Sequence, residues 1–466
     1  MPLSAPSPQS AASSVPNRWF VVLGAVLIQL SLGAIYAWSV FTPALQDEGW
    51  SRLDTQIVFA VGLASFALVM TVAGRLLERI GPRKLAAAGG LTLGSGYALA
   101  GLLGATDFWT VCFGVGLIGG AGIGLGYVVP IAVGMRWFPD KKGMITGLSV
   151  AGFGFGAMGW VKIAGAWGHL IEKTGLSGTF LIYGAAFASL ILLGSFWMRM
   201  PPKGWAPANA PAKVQATAKG RQNYTVIEML RTPQFYIVFM IFAVSAGAGL
   251  MSIGLMKLYP MEALEASGYS ALEASAIAGT AMAVFFSLAN GLGRIVWGSL
   301  SDRIGRRRSV LILTGSQALF LFAFTSMAGN QYLLYLGAAL IGFNFGGNFA
   351  LFPTLTADIF GTERVGQNYP FIFLSYGVGG IAGPILGGML GDMGNFQLAF
   401  SVSAGACLFG TACALLLRKP DHDEAVHPVS MHGFLHQMHW DHLDDVVDHI
   451  RHPDHYRRVD GNDKPS

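Results

Sequence analysis

The amino-acid sequence predicts an all-α membrane protein, with twelve transmembrane helices arranged as two pseudo-symmetric six-helix bundles. Three observations lead to this prediction: a very apolar composition, repeated apolar windows of membrane-spanning length, and matching motifs in the two halves of the chain. Hydrophobic residues make up 53% of the 466 residues and charged residues only 12%. This balance is typical of membrane proteins and not of soluble proteins of this size.

Apolar windows recur from Trp19 to Leu417 with short polar breaks between them. A bilayer core about 30 Å thick is crossed by roughly 20 apolar residues in a helix, whereas a membrane β-barrel shows alternating segments of about ten residues. The windows therefore predict helices and not strands. The predicted spans are 19–41, 55–77, 85–105, 108–134, 143–168, 178–199, 233–259, 272–298, 309–328, 331–357, 367–391 and 395–417.

The polar segments divide the chain into five predicted parts. The first apolar run is too long for the core of a cleaved signal peptide, so we expect it to be retained as an anchor. The long internal break begins PPKGWAPANAPAK, a composition typical of a flexible linker. The parts are an N-terminal segment at 1–18, a six-helix bundle at 19–199, a linker at 200–232, a second bundle at 233–417 and a His-rich tail at 418–466.

Lysine and arginine positions predict the orientation, because cations near helix ends are retained on the cytoplasmic side. With both termini inside the cell, 25 of the 30 Lys and Arg residues fall on the cytoplasmic side. The net charge of +5 therefore reflects topology in the cell (inner or plasma) membrane and indicates no nucleic-acid partner. We expect a monomer in the lipid bilayer, with no cofactor and no bound metal.

The chain repeats itself at an offset of about 223 residues. GRLLERIGPRK (74–84) aligns with GSLSDRIGRRR (298–308), and Gly143 aligns with Gly366. Several matches at nearly one offset indicate a duplicated six-helix unit. Paired helical halves are typical of transporters that bind their cargo near the midplane and rock one half against the other.

The two aligned stretches resemble the G-x-x-x-D-[RK]-x-G-[RK]-[RK] loop motif of the major facilitator superfamily, and the resemblance implies the major facilitator fold. The first copy departs from the motif by having Glu78 and Pro82. An acid beside a helix end, together with several arginines, can hold two helices together on the cytoplasmic side. The candidate gating residues are Asp302, Arg303, Arg306 and Glu78.

A single arginine, Arg294, stands inside an apolar part of predicted helix 8, with Asn290 one turn earlier on the same face. It lies eight residues before Asp302, about 12 Å into the membrane. At this depth the side chain could snorkel to the surface. The internal repeat argues against this, because the equivalent residues are Met70 and Phe66 and the scaffold therefore needs neither polar group. An intramembrane cation of this kind indicates a functional site.

The predicted spans contain no Asp or Glu away from the helix ends, so the chain offers Arg294 no buried carboxylate. A guanidinium stays charged at physiological pH and matches a carboxylate with two parallel hydrogen bonds. The sequence thus predicts a transporter of a small carboxylate anion. A cation exporter would need buried acids, a sensor would need a larger signalling domain, and an enzyme would need a nucleophile and base or a metal set that these spans lack.

Two longer stretches, LGAIYAWSVF (32–41) and GLGYVVPIAVGMRWFPDKKGMITGLSVAGFGFG (124–156), resemble the oxalate/formate antiporter family, which is related to the monocarboxylate transporters. The resemblance implies a carboxylate cargo. It places Arg294 at the helix 8 arginine that holds the substrate carboxylate. It also places Tyr36 and Tyr127 at tyrosines that line the pocket.

The sequence departs from this family in two places. Aligning NYPFIFLSYGVGG (368–380) puts Tyr376 where the oxalate-exchanging member has a lysine, and one cation suits a monocarboxylate such as formate, lactate or pyruvate better than oxalate. Asn290 stands where proton-coupled relatives often have an aspartate, so anion exchange and proton symport both stay open. On predicted helix 10, Asn348 and Phe352 share a face and complete the candidate pocket.

Overall fold

The structure is a computed structural model, and it describes residues 17–165, 167–202, 205, 207, 223–256 and 258–418. The predicted N-terminal segment and the His-rich tail lie almost entirely outside the described residues. Within them, twelve helices are long and apolar enough to cross a membrane, which confirms the predicted twelve-helix, all-α class. They are α1 (Trp19–Val40), α2 (Leu53–Ile80), α3 (Pro82–Leu103), α4 (Phe108–Trp137), α5 (Lys142–Ala164), α6 (Leu170–Ser195), α7 (Pro233–Leu255), α8 (Ala271–Ile304), α9 (Arg306–Met327), α10 (Gln331–Phe360), α11 (Val365–Gly391) and α12 (Phe396–Leu415).

Several helices continue further toward the charged loops than hydropathy predicts. Helix α8 extends to Ile304, beyond the predicted end at 298, so Asp302 and Arg303 belong to its last turn. The turn itself is confined to Gly305, whose φ of 90° lies in the left-handed region that glycine adopts without a steric penalty. The span predicted from hydropathy ends before the first charged residues, whereas the backbone hydrogen bonds of the helix continue as far as Gly305.

The last residues of the predicted linker, from 223 onward, are folded against the second half. Residues Val226–Leu230 form a short helix with a capping box at its start. Just before it, the Tyr224 backbone N–H donates to the Phe360 carbonyl at 3.0 Å, and Asn368 Nδ2 donates to the Tyr224 carbonyl at 3.0 Å. These bonds attach the residues that precede α7 to the ends of α10 and α11.

Helices α1–α6 form the first half of the molecule and α7–α12 the second half. Helix α5 packs against α10 and α4 against α11 across the halves, and the two most extensive contacts pair α2 with α11 and α5 with α8. The internal repeat relates these pairs to each other, because α2 is equivalent to α8 and α5 to α11. Both pairs meet on one face of the molecule, at the ends that carry the turns at Gly81 and Gly305. We call this end, which the sequence predicts to be cytoplasmic, the basic face.

Glycines form equivalent contacts in the two cross-half pairs. A Cβ atom added at Gly74 would lie 2.3 Å from the Gly366 carbonyl oxygen, and one added at Gly143 would lie 2.2 Å from the Gly298 carbonyl oxygen. Backbones at this distance leave no room for a side chain, and small residues are what permits such close helix packing in membranes. The glycines that align in the sequence repeat therefore close the same face of the molecule.

Replacing Gly143 with alanine is expected to loosen the basic face. The added methyl group would overlap the Gly298 backbone, and overpacking of this kind typically costs about 1–3 kcal/mol. Gly159 on the same helix is the matched control, because a Cβ atom there meets nothing within 4 Å. We expect purified Gly143→Ala to melt at a lower temperature than the wild type and Gly159→Ala to melt at the wild-type temperature. Equal melting temperatures for the two variants would contradict the close contact.

Candidate functional site

Arg294 is fully buried, with 0% of its surface exposed. Its Nε donates to Asn290 Oδ1 at 3.2 Å, and its Nη1 donates to the backbone carbonyl of Val150 on α5, in the first half, at 2.9 Å. Its Nη2 is buried without a hydrogen-bond partner. No carboxylate among the described residues forms an ion pair with it. The alternative that Arg294 snorkels to the surface is therefore wrong.

Small residues on α5 allow α8 to come this close. A Cβ atom added at Gly147 would lie 2.2 Å from the Arg294 carbonyl oxygen, and one added at Gly154 would lie 3.4 Å from Gly291 Cα. Val150 lies between these two glycines in the sequence. The contact brings its carbonyl oxygen within reach of the guanidinium, so the arginine of one half is held by the backbone of the other.

Aromatic rings from both halves surround the guanidinium. Its Cζ lies 4.4 Å from the ring centroid of Phe349 on α10 and 5.7 Å from that of Phe153 on α5. Cation–π attraction contributes roughly 0.5–2 kcal/mol at such sites. These contacts lower the cost of burying Arg294 but bring no negative charge, so the site keeps its positive charge.

Four tyrosines lie within electrostatic range of Arg294: Tyr36 on α1, Tyr127 on α4, and Tyr369 and Tyr376 on α11. The hydroxyls of Tyr36 and Tyr376 form a short hydrogen bond that joins the two halves. Tyr369 is not among the site residues predicted from the sequence. It precedes Tyr376 by seven residues, which places both on one helix face, and this spacing is the signal that could have found it.

The ring of Phe373 lies among these tyrosines. Its centroid is 5.4 Å from that of Tyr127, 5.7 Å from that of Tyr369 and 5.1 Å from that of Tyr376. Phe66 on α2 packs against it at 5.2 Å. The polar groups of the site are thus set in a wall of aromatic rings contributed by both halves.

Asn348 and Phe352 contact α7. Asn348 Oδ1 accepts a hydrogen bond from Ser245 Oγ on α7 at 2.8 Å. Phe352 stacks on Phe242, also on α7, with ring centroids 4.2 Å apart. The α10 residue over the guanidinium is Phe349. One residue corresponds to a rotation of about 100° around a helix, and that rotation separates Phe349 from its neighbour Asn348.

At the basic face, Asp302 binds the start of α5. Its carboxylate accepts from the backbone N–H groups of Gly143 at 2.9 Å and Met144 at 2.8 Å. The first N–H groups of a helix lack partners within the helix and carry partial positive charge, so a carboxylate is well placed there. Arg306 donates to the same carboxylate at 2.5 Å.

Asp358, at the end of α10, extends this contact. Its carboxylate accepts from Arg306 Nε at 3.0 Å and forms a short ion pair with Lys142 of the first half. We call Asp302, Arg306, Asp358 and Lys142 the basic-face clasp. Asp358 and Lys142 do not stand out in the sequence. Charged residues are common at the ends of membrane helices in general, so their positions alone do not indicate a contact.

Arg303 and Glu78 lie outside the clasp. Arg303 is exposed and makes no ion pair or hydrogen bond with the residues that the structure describes. It follows Asp302 directly, and the rotation of about 100° per residue turns it away from α5. Glu78 is exposed and lies near Arg136, whose guanidinium donates to the Glu363 carbonyl.

Replacing Asp302 with asparagine is expected to shift the protein toward the form open at the basic face. The amide keeps an acceptor but loses the charge that attracts Arg306 and the α5 N-terminus. Hydrogen bonds to charged groups contribute about 1.5–3 kcal/mol, so the open population should rise roughly 10- to 100-fold. Labelling of a cysteine introduced at the basic face measures this shift.

The control for Asp302→Asn is Arg303→Gln, which changes the neighbouring exposed charge and leaves the clasp intact. We expect unchanged labelling for this control. Cargo affinity in Asp302→Asn should change less than labelling does. Unchanged labelling combined with a large loss of affinity would contradict the gating role of Asp302.

Two related six-helix halves, closed together on one face around a buried cation, are the architecture of a membrane transporter built from paired helical halves. The chain matches the Major Facilitator Superfamily over residues 21–287 and 259–443, and it belongs to that family. The family assignment drawn from the loop motif is thereby confirmed. Members of this superfamily are transporters and not enzymes.

Among curated proteins, the chain is 32% identical over 377 residues to the uncharacterized MFS-type transporter YhjX of Escherichia coli (strain K12), covering 78% of this chain and 86% of that protein. It is 27% identical over 403 residues to the oxalate:formate antiporter of Oxalobacter formigenes, covering 85% and 91%. It is 24% identical over 426 residues to human monocarboxylate transporter 11, covering 87% and 85%. These matches agree with the resemblance to the oxalate/formate antiporter family.

Solved structures share the fold. The E. coli fucose:proton symporter FucP superposes with a TM-score of 0.63 at 13% identity, covering 86% of this chain and 98% of FucP. The proton:xylose symporter XylE gives a TM-score of 0.63 at 15% identity, covering 85% and 94%. At such low identity these structures support the architecture alone.

Proposed function

We propose that this protein is a secondary active transporter of a small monocarboxylate and that Arg294 anchors the carboxylate group. The observation that carries the proposal is a fully buried guanidinium with no carboxylate partner among the described residues. Nη1 uses one of its two hydrogens on Val150, and Nη2 is unpartnered. Each terminal nitrogen thus keeps a hydrogen for a two-point contact with a carboxylate.

The position of the site supports transport by alternating access. Arg294 belongs to the second half but bonds to Val150 of the first, so cargo binding is sensitive to how the halves sit together. The basic-face clasp closes one exit, and the hydrogen bond between Tyr36 and Tyr376 joins the halves within the site. The proposal includes a monomer with both termini in the cytoplasm. It also includes coupling to a counter-anion or to a proton. A coupled proton would not be carried by Asn290, because an amide does not take up a proton.

Exchange of oxalate for formate is the second candidate. The likeness to the oxalate:formate antiporter of Oxalobacter formigenes favours it. The charge of the site favours a monoanion instead, because one guanidinium compensates only one carboxylate, and an uncompensated charge in a buried site is costly.

Uptake into proteoliposomes tests the proposal. Labelled formate, lactate, pyruvate and oxalate would be offered with and without a pH gradient or an internal anion. We expect saturable uptake of a monocarboxylate that depends on one of these driving forces and is absent with Arg294→Ala. If none of the four acids is taken up or bound by the wild-type protein, the proposed cargo class is wrong.

A further inference from the structure

A second polar contact between the halves lies on the basic face, apart from the four residues of the basic-face clasp. Arg136, at the end of α4 in the first half, donates from Nη2 to the backbone carbonyl of Glu363 in the second half. Glu363 belongs to the short loop at residues 361–364 between α10 and α11, which we call the α10–α11 loop. The acceptor is a backbone atom, so this contact depends on where the loop lies and not on the Glu363 side chain.

The end of the linker holds the α10–α11 loop in place. Asn223 Nδ2 donates to the Glu363 carboxylate at 3.0 Å, and the Glu363 backbone N–H donates to Asn223 Oδ1 at 3.2 Å. The next residue, Tyr224, bonds through its backbone to both helices that flank the loop, to Phe360 of α10 and to Asn368 of α11. These four hydrogen bonds fix the loop relative to the linker end and therefore fix the carbonyl that Arg136 binds.

The linker also contacts the first-half side of this contact, near its own start. Trp205 packs edge-on against Trp137, with ring centroids 4.9 Å apart, and Trp137 directly follows Arg136. Trp137 Nε1 donates to the Arg199 carbonyl, just after α6, at 2.6 Å. Described residues near both ends of the linker therefore meet at the contact between Arg136 and Glu363, and opening of the basic face would separate them.

We propose that Asn223 is a positioning residue for closure of the basic face: it holds the α10–α11 loop where Arg136 can bind it, and so couples the linker to the contact between the halves. The inference goes beyond the proposed function, because it concerns the closed form of the protein and not the cargo. Lys142 of the basic-face clasp also donates to Thr362 of the loop, at 3.3 Å. The first half thus binds the loop at two adjacent residues, and both bonds need the loop in its present position.

The test is labelling of a cysteine introduced at the basic face, measured on the full-length protein without cargo. Asn223→Ala removes both bonds to Glu363 and leaves the side chains of Arg136 and the basic-face clasp unchanged. We expect the labelling rate to rise about 3- to 10-fold, the usual effect of one hydrogen bond. Asn17→Ala is the matched control and should label like the wild type, because Asn17 is an exposed asparagine whose bond to the Trp19 N–H stays within the first half.

A double-mutant cycle separates positioning of the loop from a general loss of stability. Arg136→Met removes the donor from the contact, so Asn223→Ala should have little further effect in that background. Combined with Asp302→Asn, which acts at the α5 N-terminus, Asn223→Ala should keep most of its effect. A substitution that only destabilised the fold would raise labelling equally in both backgrounds.

The outcomes separate this inference from the proposed function. Labelling of Asn223→Ala at the wild-type rate overturns the role of Asn223, whatever Asp302→Asn does. Equal effects of Asn223→Ala in the Arg136→Met and Asp302→Asn backgrounds also overturn it, because Asn223 would then not act through Arg136. If labelling responds as expected but the wild-type protein neither binds nor takes up any of the four acids, the proposed cargo class is wrong and the role of Asn223 stands.

Discussion

Replacing Arg294 with lysine should reduce monocarboxylate uptake by about 100-fold while leaving the protein folded in the membrane. An ammonium group keeps the charge but lacks the planar fork that binds a carboxylate at two points. It also loses the fixed orientation that Asn290 and Val150 give to the guanidinium. Loss of two charge-assisted hydrogen bonds of about 1.5 kcal/mol each corresponds to roughly this factor.

The measurement is the initial rate of uptake of a labelled monocarboxylate per reconstituted protein. Arg308→Lys is the matched control, because Arg308 is an exposed arginine near the start of α9. It should transport like the wild type. Normal uptake by a well-expressed Arg294→Ala protein would rule out a carboxylate site at this residue.

The helix count and the central cation follow from the sequence for a physical reason. Membrane insertion depends on hydropathy, which is a property of short windows, so the twelve spans are visible without any tertiary information. Arg294, Asn290, Tyr36, Tyr127 and Tyr376 stand out because polar side chains are rare in such spans, and the structure brings them together.

The aromatic wall could not be predicted in the same way. A phenylalanine that faces a buried site and one that faces lipid have the same hydropathy, and the chain has 31 of them. Phe349, Phe153 and Phe373 are recognisable only once the helices are packed. Sequence alone also does not give the rotation of α10, so it does not show that Phe349 lies over the guanidinium.

Only part of the basic-face clasp could be predicted from the sequence. Asp302 was identified because it belongs to a motif with fixed spacing. Asp358 and Lys142 belong to no such motif, and their pairing depends on the contact between halves. The internal repeat also does not predict the asymmetry, in which Asp302 binds the α5 N-terminus while Glu78 is exposed.

Replacing Tyr376 with lysine should move the cargo preference from monocarboxylates toward oxalate. The wild-type site presents one guanidinium, so a dianion would leave about one uncompensated charge in a low-dielectric environment, whereas a monoanion is matched. The Tyr376 side chain lies within electrostatic range of Arg294, and a lysine there would supply the second positive charge. We expect monocarboxylates to compete about tenfold better than oxalate in the wild type, and this order to reverse in the variant.

Tyr376→Phe separates the effect of charge from that of the lost hydroxyl. Both substitutions break the hydrogen bond with Tyr36, but only lysine adds a cation. The measurement is competition by oxalate and by a monocarboxylate for the same labelled cargo in the three proteins. If only the charge matters, Tyr376→Phe keeps the wild-type order of the two anions. Tight oxalate binding by the wild type, with no gain in Tyr376→Lys, would mean that a cation other than Arg294 already compensates the second carboxylate.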